Sequence, residues 1–178
     1  MKNNKKLVAA FLSLFLLAGC VEYSITPVEI NVQPNDTFTV DIILHHCIAP
    51  LPFTNKYICT DTNDIYGVAF DLNYDSNHIR FQSIDVSSSV LSDVTAVTGF
   101  RNSQTDNGKL VVGVTKSGQA PGEQGEGKIA TITFQAVSAG STTLRFVDPH
   151  LVDSTGKFLV GWPFYGAKLS EASVSIAP

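Results

Sequence analysis

From residue 28 onward the chain alternates apolar and polar side chains with a period of two almost everywhere. Val28, Ile30 and Val32 begin the pattern; Phe38, Val40, Ile42 and Leu44 continue it, and Val68, Phe70, Leu72 and Tyr74 repeat it. Later runs read "IRFQSID", "KLVVGVT", "KIATITFQA", "STTLRFVD" and "EASVSI". Successive side chains of a strand point to opposite faces, so each run has one apolar face to bury. Turn formers separate the runs: Gln33-Pro34-Asn35-Asp36, Asp75-Ser76-Asn77, Asp106-Asn107-Gly108 and Ser138-Ala139-Gly140. With no strong helical stretch, such a chain is predicted to be all-β, an antiparallel jelly-roll β-sandwich of about nine strands. The segment "GQAPGEQGEG" (118–127) reads as a loop between two of them.

The 178 residues suffice for one domain with a real core. Only 16% are charged, the formal charge is −4, and no basic patch occurs, which excludes nucleic acid as a partner. The N-terminus is more specific. "MKNNKK" is a positive n-region, and "LVAAFLSLFLLAG" is apolar but short for a permanent span. It ends in Leu17-Ala18-Gly19-Cys20, which resembles the lipobox of bacterial lipoproteins. The resemblance implies a cleaved signal peptide (1–19), acylation of Cys20, a lipidated tether (20–27) and a domain over 28–178. The protein is then exported and lipid-anchored in the cell envelope, at the outer membrane or cell surface. Valine rather than aspartate at position 21 favours the outer membrane where one exists. Loss of Lys2, Lys5 and Lys6 from the 12 basic residues leaves 9 against 16 acidic ones, which suits a body held near an anionic membrane without adhering to it.

With Cys20 given to lipid, Cys47 and Cys59 remain, and in an oxidising compartment they are expected to pair. Closing that loop would stabilise by about 3 kcal/mol in the chain-entropy model. A zinc site from Cys47, Cys59 and His45 or His46 is the alternative. No catalytic motif accompanies His45, His46, His78 and His150, so no enzyme activity, cofactor or metal is expected. In "IYGVAFDLNYD" the large side chains face the core, and Gly67, Ala69, Asp71 and Asn73 form a small, flat, polar-edged outer face able to accept a partner. "GKFLVGWPFYGAK" gathers aromatic rings instead; either Trp162 and Tyr165 are the candidate platform for a polysaccharide, or Trp162 and Phe164 cap one end of the core.

At "IYGVAFDLNYDSNHIRFQSI" the chain resembles a cohesin domain, through Tyr74-Asp75 and the strand Ile79-Arg80-Phe81. "DNGKLVVGVTKSG", "GEGKIATITFQAVSAGSTTLRF" and "VDPHLVDSTGKFLV" follow in the same order, so the resemblance covers residues 24–178. It implies a nine-stranded jelly roll, related in fold to carbohydrate-binding modules, that docks a protein partner, dockerin-like, on one flat sheet face. Polar residues on the third strand serve that recognition in scaffold cohesins; the matching positions here, Gly67 and Ala69, carry no hydrogen-bonding side chain. "HHCIAPLPFTNKYICTDTND" (45–64) then stands out as an insertion where cohesins have a short loop.

Overall fold

The computed structural model describes residues 19–48, 58–59, 64–123, 126–159 and 167–178, and among these the chain forms twelve strands and no helix. The signal-peptide segment before Gly19 lies outside the described residues, as does most of the insertion. Strands are numbered in chain order. The first sheet runs β11 (Ala167–Leu169), β1 (Gly19–Thr26), β3 (Thr37–Ile48), β9 (Gly127–Ala136) and β6 (Ile79–Asp85). The two-residue β4 (Ile58–Cys59) joins β3 beyond the point where β9 stops. The second sheet runs β2 (Glu29–Val32), β12 (Glu171–Ile176), β10 (Gly140–Val152), β5 (Gly67–Asn73), β8 (Lys109–Lys116) and β7 (Val94–Phe100). All pairs are antiparallel except β1–β11 and β2–β12.

The all-β sandwich is as the alternation predicts, and the alternating residues are its core. Ile42, Leu72, Leu110, Val112, Ile132 and Val174 are among its fully buried side chains. Of the strands the alternation does not mark, β7 is an edge strand with neither face well covered, so its "VTAVTGF" lacks a clean apolar side.

The larger correction concerns the tether. Residues 20–27 are not a free spacer: β1 pairs with β3 along its whole length, Cys20 opposite Cys47 through Thr26 opposite Asp41. Tyr23 and Ile25 are wholly buried. Tyr23 reaches across the sandwich, its ring 6.3 Å from that of Phe70 and 5.7 Å from that of Phe146. Its hydroxyl donates to the His150 carbonyl at 3.0 Å, and burial pushes the phenol's pKa well up. The alternation Tyr23, Ile25 therefore belongs to the strand pattern, and the lipobox beside it masks that reading.

Edge-on ring pairs and a buried phenol make Tyr23 costly to lose. Tyr23→Phe should lower unfolding free energy by about 1 kcal/mol, from the lost hydrogen bond. Tyr23→Ala should cost about 3–5 kcal/mol through the cavity it leaves. Denaturant titration of the soluble domain measures both; an unchanged midpoint for Tyr23→Ala would restore the tether.

Candidate functional site

β5 lies between β10 and β8, and both its faces are covered. Val68, Phe70 and Leu72 point inward. Gly67, Ala69, Asp71 and Asn73 take the outward positions, as alternation requires, but the surface they make is not flat. Val152 and Thr115 close over Gly67; a methyl group there would sit 3.0 Å from Val152 Cγ2. Asp71 is only 4% exposed, because Arg101 folds over it. The guanidinium donates from both Nε and Nη2, the latter at 2.7 Å to Oδ1, and this pairing raises the arginine's own pKa. The flat polar face thus becomes a sealed ion pair beside a hollow.

The hollow measures about 280 Å³. Ala69 and Gly113 form its floor, and Val97, His150 and Phe158 stand around it. Val97 is 66% exposed, Phe158 61% and Val147 38%, so three of the five large apolar side chains left in solvent among the described residues gather on this face. A bulge sets its β10 wall. Val147 pairs with Asp71 and His150 with Ala69, so β10 carries one extra residue there, and Asp148 adopts φ 53°. Without that residue, position 149 would face Ala69; with it, His150 turns outward and Leu151 inward. The imidazole lies 3.3 Å from Asp148 Oδ1 and 5.4 Å from the Phe158 ring.

Other predicted site residues fall elsewhere. Trp162 and Tyr165 lie outside the described residues. The register sets Cys47 opposite Cys59 on one side and opposite Cys20 on the other. His45 pairs with Glu126 at 3.2 Å, and His78 approaches Ser138. Among the described residues no three His, Cys, Asp or Glu side chains converge as metal ligands.

Sequence reasoning missed Val97, Arg101, Gly113, His150 and Phe158. Their assembly depends on a bulge and on an edge strand, neither of which leaves a periodic signal. It also missed Lys116, 5% exposed at the end of β8 beside the hollow. Its ammonium donates to Ser92 at 2.9 Å and to Glu123 at 2.5 Å, tying the β6–β7 and β8–β9 connections together. Hydrogen bonds from Lys116, then from Ser92, hold the Glu123 carboxyl down at about 2.

A model of the cohesin domain matches residues 54–157. No curated protein matches the chain. Among solved structures, the cohesin of OlpC from Clostridium thermocellum, in complex with the dockerin Doc435, superposes with a TM-score of 0.56 at 15% identity, over 92% of this chain and 94% of that one. The solution structure of CaCohA2 from Clostridium acetobutylicum gives 0.57 at 14% identity, over 89% and 91%. A non-cellulosomal cohesin from the archaeon Archaeoglobus fulgidus gives 0.55 at 11%, over 90% and 91%. These identities show the shared fold.

The Lys116–Glu123 contact predicts an acid dependence. Glu123 titrates below the ordinary 4.5, so its contribution to stability is complete above that pH and fades as pH falls through about 2. Glu123→Gln should lower Tm at pH 7, by leaving a buried ammonium without its counter-charge, and should flatten the Tm profile below pH 4.5. Thermal scans across that range compare the two slopes.

Proposed function

Because the chain belongs to the cohesin domain family, we propose that it is a docking module whose partner, a dockerin-like protein segment, binds the outer face of the β10–β5–β8–β7 sheet. Cohesin domains are non-catalytic modules that mediate protein–protein docking with dockerins.

Two glycines carry the reading. Gly99 and Gly113 sit on the outward side of β7 and β8, in mid-strand. A glycine there costs roughly 0.5–1 kcal/mol against alanine and usually marks a close approach of some other backbone. Among the described residues nothing approaches these two: a methyl group on Gly99 would meet no atom within 4 Å, and on Gly113 only the Val97 carbonyl at 4.0 Å. Gly108 differs, since its φ is +76° and a methyl group would lie 2.2 Å from the Tyr74 carbonyl. The bare backbone of β7 and β8 is therefore explained by what lies outside the domain.

Dimensions and charge narrow the partner. Three strand spacings separate β10 from β7, about 14 Å between backbones. An α-helix with its side chains is roughly 10–12 Å across, so one lying along the strands fits between the Val97 ridge and the His150–Phe158 ridge. Its apolar side chains would enter the hollow. Arg101–Asp71, Arg145–Glu171 at 2.7 Å and His150–Asp148 form the charged rim that sets orientation more than affinity.

Phe158 favours a second reading. An exposed ring tilted against His150 could take a sugar face, with Trp162 and Tyr165 of the same segment as further platforms.

We extend the proposal to anchorage. Leu17-Ala18-Gly19-Cys20 supports export and acylation at Cys20, and acylation leaves Cys59 as the remaining cysteine in register with Cys47, which supports a Cys47–Cys59 disulfide. Cys20→Ser should move the protein from the membrane to the soluble fraction, and non-reduced peptide maps should join the Cys47 and Cys59 peptides.

Docking is tested with immobilised dockerin modules and with polysaccharides as parallel probes. Gly113→Val fills the hollow without an internal clash, so Tm should hold or rise while dockerin capture weakens at least about tenfold, which is 1.4 kcal/mol. Undiminished capture would remove the hollow from the interface. Saturable polysaccharide binding, lost on Phe158→Ala or Trp162→Ala with no dockerin captured, would replace the docking reading with the glycan one.

A further inference from the structure

We propose that the acylated Cys20 stands this sandwich upright on the bilayer, so that the hollow opens sideways about one helix diameter above the lipid headgroups. The inference rests on the lipid-anchor reading of Cys20 and adds to it an orientation.

The first step is the missing spacer. β1 starts at Gly19, and the chain is locked three residues past the anchor. There the Tyr23 carbonyl accepts from Ser170 N at 2.9 Å, and the Tyr23 ring fills the core. Two residues on, Ile25 N donates to the Ser170 hydroxyl at 3.0 Å. Three residues of strand span about 10 Å, so the anchor cannot wander from the core by more than that. A flexible leash would let the domain tumble; a paired strand does not.

The second step is direction. β9 passes to β10 through the turn at 137–139, which puts the start of β9 and the end of β10 at one end of the sandwich. Pairing then brings to that same end the starts of β1, β5 and β7 and the ends of β3, β6 and β8. Among the described residues, the membrane-side end thus carries the 86–93 connection, the 153–157 turn and 117–123 with Glu126; the 45–64 insertion also leaves β3 from this end, and most of it lies outside the described residues. The far end carries the turns at 33–36, 74–78, 101–108 and 137–139, and Pro178.

Charge keeps this end from sinking. Among the described residues there, Asp64, Asp93, Glu123, Glu126 and Asp153 outnumber Lys116, Lys128 and Lys157, so an anionic bilayer repels it. The domain stands on its acyl chains.

The third step places the hollow. The Tyr23 hydroxyl reaches the carbonyl of His150, a wall residue, so the hollow is level with the third residue past the anchor. Asp71, Arg101 and Arg145 continue the face away from the membrane. A partner must enter parallel to the bilayer, and a narrow segment ahead of any bulky body is what the gap admits.

The test uses the full lipidated protein in phosphatidylethanolamine–phosphatidylglycerol vesicles carrying a headgroup nitroxide quencher. A fluorophore is attached through an azide-bearing residue at Ser88 or, separately, at Ala139, both exposed. The 10 residues of β9 set the two ends about 30 Å apart. Quenching is expected at Ser88 and not at Ala139. A Gly/Ser insertion of about 20 residues after Cys20, with an r.m.s. reach of about 25 Å, should equalise the two. Equal quenching without the insertion overturns the upright orientation. Failure of the wild-type protein to float with the vesicles, or flotation of Cys20→Ser, overturns the anchor reading instead.

Discussion

Tyr23 holds together the two halves of this molecule that matter. Its ring packs edge-on against both Phe70 and Phe146, which also meet each other edge-on and are inward side chains of two strands that carry the outer face. Its hydroxyl then binds the main-chain carbonyl of His150, beyond the bulge that turns that residue outward. A bulge costs a ladder bond and invites slippage; here a buried donor from the opposite sheet satisfies the carbonyl at that point. The position of His150, and with it one wall of the hollow, is fixed by a side chain that approaches from inside.

That coupling explains the distribution of order across the face. β5 is buried on both sides, and Asp71 is sealed beneath Arg101, so the centre is rigid. β7 is an edge, held to β8 alone, with Val97 standing in solvent. A partner that covers Val97 would bury an apolar side chain and protect an edge at once. The polar residues expected on the third strand are replaced by Gly67 and Ala69, and the adjacent glycines deepen the change. Under the proposed docking, shape and apolar burial would do here what hydrogen-bonding side chains are expected to do in scaffold cohesins.

Much of the fold was legible because burial enforces period two. Val68, Phe70 and Leu72, or Leu110, Val112 and Val114, could alternate with polar neighbours only as half-buried strands. β7 was not legible, since an edge strand bears no consistent apolar side. β1 was obscured for a different reason: its alternation, Tyr23 and Ile25, begins just past the lipobox-like Leu17–Cys20, and the tether expected there claimed residues that also build the core. The site was legible in its floor and not in its walls. Gly67, Ala69 and Asp71 follow from phase along one strand, but Arg101 reaches Asp71 from 30 residues away, and His150 faces outward only because of one extra residue. Long-range pairing and bulges have no local period to read.

The overlap of lipobox and strand also constrains how such a protein can work. A module on a long leash reaches partners at any orientation, at the cost of diluting its own local concentration as the leash lengthens. Under the proposed anchorage, a module whose first strand begins at the anchor would give up reach for a fixed presentation, with the docking strands along the membrane normal and the deepest part of the face nearest the lipid. Selectivity then comes partly from geometry, because a partner with the right apolar helix but no narrow approach meets the bilayer before it meets Gly113. Lys116 and Glu123 contribute to this arrangement, since they join the connections on which the membrane-side end is built.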